Sequence, residues 1–121
     1  MFAYLALAAT ALLSAPAMAV ETIELSSENA GTSGLQGKGE ALEFDSDLGT
    51  VTVTGWSVDR SNTVREAQLG VWSSGVGVLN GRFDNSHTID NRGWVDFILL
   101  EFATLVALQD VRFNAGWHWM N

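Results

Sequence analysis

Thr50-Val-Thr-Val-Thr-Gly-Trp-Ser-Val58 alternates along its length, with Val51, Val53 and Gly55 on one side and Thr52, Thr54 and Trp56 on the other. Such a period of two is the pattern of a β-strand with one face on a core. Further along, Val95-Asp-Phe-Ile-Leu-Leu-Glu-Phe102 reads differently, because positions 97–100 are apolar in succession. A strand covered on both faces accounts for that run, which predicts two packed sheets with this strand at the centre. Working outward, β-branched and aromatic residues recur between Gly, Asn, Asp and Ser, so further strands are expected at 22–25, 41–44, 67–72, 76–79, 105–108 and 111–119. Ser73-Ser-Gly75 fits a hairpin turn between two of them. Residues 26–38, rich in Ser, Gly, Asn and Thr without an apolar period, read as a loop. No helix of three turns is expected, and the fold class is all-β.

The first nineteen residues carry no charge, run Leu5-Ala-Leu-Ala-Ala-Thr-Ala-Leu-Leu13 and close on Ala17-Met-Ala19. Small residues at the end of a short apolar run mark a secretory signal peptide, although this one has no basic start. Spanning a bilayer takes about 20 apolar residues, and Pro16 interrupts this shorter run, so no membrane-spanning segment is expected in the mature chain. The division is a signal peptide at 1–19 and one domain at 20–121, exported from the cell. The net charge of −8 falls entirely on that domain. An acidic surface repels phosphate backbones, so nucleic acid is not an expected partner. There is no cysteine in the chain, and its five Trp and six Phe are the natural source of core stability in place of disulfides.

Between the strands at 76–79 and 95–102, oxygen donors crowd together as Asp84, Asn85, Asp90 and Asn91, followed by Asp96, with His87 among them. Hard cations such as Ca²⁺ take about six to eight oxygens, partly from backbone carbonyls, so these five residues are a candidate structural calcium site. Their spacing is not that of an EF-hand. The same residue types also form ordinary turns by bonding their own backbone, and that reading stands beside the first. His87 and His118 lack the spacing of a zinc pair. Adjacent Ser86 and His87 do not suit a hydrolytic triad with Asp84 or Asp90. A glycosidase-like carboxylate pair could be drawn from Asp90, Asp96 and Glu101, as from any acidic strand protein. No catalytic residues are expected. Trp94, His87 and Asn91 form a candidate sugar-binding surface, with Trp94 as its stacking platform, whereas Trp117 and Trp119 share one strand face and suit a core.

The order Gly75-Val-Gly-Val-Leu-Asn80, His87-Thr-Ile-Asp-Asn91 and Asp96-Phe-Ile-Leu-Leu-Glu-Phe102 resembles the extracellular region of exosortase-sorted bacterial surface proteins, the PEP-CTERM class. The resemblance covers the second half of the chain. It implies a single β-sandwich of jelly-roll type, similar to carbohydrate-binding modules, displayed at the cell surface or in an extracellular polysaccharide matrix. It implies no catalytic residues. Members of that class end in a Pro-Glu-Pro motif, an apolar helix and a basic tail, none of which is present. The chain therefore reads as lacking a C-terminal strand and the sorting tail, and exosortase is a partner only if that tail follows in the full gene. The expected role is structural or adhesive; the alternatives are a carbohydrate-binding module using the 84–96 loop with Trp94, and a glycan-active enzyme.

Overall fold

The structure is a computed structural model, and it describes residues 20–81, 88–89 and 93–113. Expectations for the signal segment 1–19 and for Trp117, His118 and Trp119 lie outside these residues. The elements are α1 (Ser27–Ala30), β1 (Gly34–Lys38), β2 (Leu42–Phe44), β3 (Val51–Val58), β4 (Val64–Glu66), β5 (Gln68–Trp72), β6 (Gly75–Leu79) and β7 (Val95–Phe102). The chain is all-β with antiparallel pairing throughout its sheets. Among the described residues no helix is long and apolar enough to cross a membrane.

β1, β5 and β6 form a three-stranded sheet in the order β1-β5-β6. The second sheet is organised by β3, which pairs β7 along its whole length from Val51↔Phe102 to Val58↔Val95. Because β7 occupies one edge of β3, the other edge is shared, with β2 opposite Val51 to Val53 and β4 opposite Trp56 to Val58. Between β4 and β5 the chain passes from one sheet to the other at Ala67, which is buried and donates its N–H to the Gly55 carbonyl at 3.0 Å. That crossing brings the sheets very close at β3. A Cβ on Gly55 would lie 3.2 Å from the Leu69 backbone nitrogen, tighter than ordinary contact, so a side chain there presses on the second strand's main chain.

The shared core is Leu42, Phe44, Val51 and Val53 from one sheet and Leu69, Val71 and Val78 from the other, with Ala67 at the crossing. The inward side of β3 is fully buried at Val51, Val53, Gly55 and Ser57, as its alternation predicts, while Thr52, Thr54, Trp56 and Val58 are half-buried on the far side. Trp72 pairs with Gly75 across a two-residue turn, so the expected hairpin forms, with Gly75 at φ 130.

Four expectations are corrected. β7 is not a central strand covered on both faces: among the described residues it pairs β3 alone, with Val95 51% and Leu99 44% exposed. Its consecutive apolar run arises because the outward positions also carry large apolar side chains. Residues 22–25 form no strand, although Ile23 and Leu25 pack on the core at alternate positions. Residues 105–108 and 111–113 form no strand and are exposed except for half-buried Val106. The expected loop at 26–38 contains α1, closed by Gly31 in the left-handed region, and β1, which the β5 edge recruits through main-chain pairing that its own Gly-rich sequence does not announce.

Candidate functional site

The link from β6 to β7 carries the residues singled out from the sequence. Of these, the structure describes Trp94 and Asp96; Asp84, Asn85, His87, Asp90 and Asn91 lie outside the described residues. The parts that are described are braced. Asn80, just past β6, donates its Nδ2–H to Asp96 Oδ1 at 2.6 Å, joining the two ends of the link. Val78 N–H donates to the Thr88 carbonyl at 3.4 Å, laying Thr88 beside β6, and Ile89 packs against the core.

Asp96 sits on the inward side of β7, 6% exposed, directly opposite Ser57. A carboxylate buried this far requires hydrogen-bond partners, and Asn80 supplies one. Asp96 is thus part of the body as well as the end of the loop. Trp94 precedes β7 and is half-buried. Glu101 is exposed on the opposite side of β7 from Asp96, because the two positions differ by an odd number of residues along a strand. These two carboxylates do not converge on one cleft. Among the described residues no group of three His, Cys, Asp or Glu side chains could hold a metal ion.

Two features escaped the sequence reading. Asp59, at the end of β3, organises the β3–β4 turn: its Oδ1 accepts from the Ser61 N–H at 2.8 Å, the Ser61 hydroxyl at 2.5 Å and the Thr63 N–H at 3.0 Å. Its Oδ2 accepts from Arg65 Nε at 2.6 Å. The Ser61 hydroxyl, then the Arg65 guanidinium and the Thr63 N–H, hold this carboxyl well below the usual carboxylate range. The Asp-Arg-Ser-Asn-Thr run was a legible turn signal.

The second feature is the outward side of the β3 sheet. Cross-strand rows place Val64, Val58 and Val95 together, then Trp56 beside Phe97, then Thr54 beside Leu99. Trp56 Nε1–H donates to Thr54 Oγ1 at 2.8 Å, which lays the indole along its own strand. Val64, Val95 and Leu99 are each more than two-fifths exposed. The signal for this surface was the apolar run at 97–100, assigned to a second covering layer instead.

Comparison of the chain with protein-family models, curated proteins and solved structures gave no match. The fold and the braced loop define a class and no more: an all-β chain whose two antiparallel sheets share one core, with an apolar outer surface on one of them.

Proposed function

We propose that this chain is a non-enzymatic, secreted protein of a bacterial envelope or extracellular matrix, a sandwich of jelly-roll type with a structural or adhesive role. The observation that carries the reading is the apolar surface open to solvent on the β3–β7 sheet, around Val64, Val95 and Leu99. Exposed apolar patches of this kind mark contact surfaces. The burial of Asp96 and its bond to Asn80 support a framework role for the best-placed carboxylate of the loop. Export by the 1–19 segment, and membership of the exosortase-sorted class, are parts of the same proposal. Fractionation of the native cells tests it: the protein belongs in the envelope or secreted polysaccharide fraction, and recovery only from the cytosol would remove the proposal.

A carbohydrate-binding module is the second reading, favoured by the partial exposure of Trp94 beside the loop. Extracellular polysaccharide is then the ligand, with His87 and Asn91 as polar partners. A glycan array comparing the protein with Trp94→Ala tests it, and equal signals for the two would sink it. A structural Ca²⁺ held by Asp84, Asn85, Asp90, Asn91 and Asp96 is compatible with either role. An unchanged melting temperature on adding Ca²⁺ or chelator would remove it.

A further inference from the structure

Among the described residues beyond β7, 105–113 form no strand. Ala103 N–H donates to the Thr50 carbonyl at 3.0 Å and the Thr104 hydroxyl to the Leu48 carbonyl at 2.8 Å, so the exit is held to the β3–β7 ladder. The chain bends at 103–104 as it leaves the ladder and passes into residues 105–113. Those residues expose Leu105 at 103%, Leu108 at 65%, Val111 at 54% and Phe113 at 80%. In an isolated molecule that is a costly arrangement for four large apolar side chains.

The same chain carries what this segment lacks. Among the described residues the outer edge of β7 pairs with no strand, and the sheet face beside it exposes Val95 and Leu99. Segment and edge are compatible in charge. The body is strongly acidic, but residues 103–113 hold one Asp and one Arg, Asp110 and Arg112, paired to each other at 3.1 Å. A neutral apolar segment can approach an acidic body without the repulsion that two bodies feel face to face.

We infer that residues 105–113 of one copy add as a strand to the outer edge of β7 in a second copy, covering Val95 and Leu99, so that the protein self-associates by strand donation. Main-chain hydrogen bonds to an open edge supply the affinity, and the apolar side chains of the segment add to it, Leu105, Val111 and Phe113 on one face and Val106 and Leu108 on the other. Reciprocal donation closes a dimer; donation in one direction builds an open chain. The inference deepens the structural role proposed above and rests on it, naming the partner of that surface as another copy of this chain.

The absence of cysteine makes the test direct. Two single-cysteine variants of the full chain, Leu108→Cys and Leu99→Cys, are mixed under mild oxidation, and sedimentation is measured on the unmodified protein over a concentration series. The inference expects a concentration-dependent mass of at least two copies and a mixed disulfide well above the yield of either variant alone. It also expects Leu108→Asp to weaken association by roughly tenfold or more, because the charge would be buried against an apolar edge. Association should strengthen as salt screens the acidic bodies. A monomer at all concentrations would overturn it. So would a double-cysteine variant that closes its disulfide within one monomeric chain, since the segment would then cover its own edge. Association that survives Leu108→Asp together with Val111→Asp would overturn strand donation as its cause. These outcomes are independent of cell fractionation, so failure here leaves the envelope reading standing and failure there leaves the association measured.

Discussion

β3 and β7 are strands of equal length, paired residue for residue, and yet they stand in opposite relations to solvent. β3 has neighbours on both edges and buries an entire side at Val51, Val53, Gly55 and Ser57. β7 has one partner among the described residues, buries only Asp96 fully, and turns Val95 and Leu99 outward. The difference lies in the side chains opposite the core. Outward Thr52, Thr54, Trp56 and Val58 on β3 are all half-buried, whereas outward Val95 and Leu99 on β7 are exposed and call for another apolar surface. One strand is finished by the fold of a single chain, and on the inference above the other is finished by contact.

Mutations should separate these two roles. Phe44→Ala empties a wholly buried position paired with Val51, and should cost about 3–5 kcal/mol in chemical denaturation. Gly55→Val drives a branched side chain into the Leu69 backbone, and should cost about 1–3 kcal/mol, with Ala tolerated better than Val. Asp59→Asn should lower the melting temperature at neutral pH by less than either, by removing a charged acceptor from the β3–β4 turn. Asp59 is held more acidic in the folded chain than in the unfolded one, so its contribution is full above the unfolded value near ~3.9 and fades as the pH falls toward the lower folded value. The variant should therefore show a shallower loss of stability on acidification; an identical acid limb would contradict the turn's role. Leu99→Thr should alter the stability of the monomer by no more than about 0.5 kcal/mol, because the side chain is already outward. A large loss in dilute solution would mean that β7 has the same finished environment as β3.

The same contrast explains what the sequence revealed. β3 was legible because its alternation and its burial have one cause, a single face on the core. β7 was legible as a strand but not in its position, since a run such as Phe97 to Leu100 reads alike whether the second face meets another layer or solvent. β1 was illegible because Gly34-Leu-Gln-Gly-Lys38 has no strand pattern of its own, and the edge of β5 makes it a strand. Residues 105–108 failed in the converse way: a strand-like sequence without an adjacent edge forms none. At the loop, the density of oxygen donors drew attention to Asp96, but composition does not tell an inward carboxylate from an outward one. Its parity with Ile98 and Leu100 along β7 does, and places it inside with Asn80 and Ser57.

Hydrogen exchange resolved by residue, recorded on dilute and on concentrated protein, tests most directly whether β7 and the chain beyond it are completed by contact. Amides of β3 should exchange slowly at both concentrations, and those of residues 105–113 should exchange fast when dilute and become protected when concentrated. Protection of 105–113 in the dilute monomer, or fast exchange there at every concentration, would contradict the account.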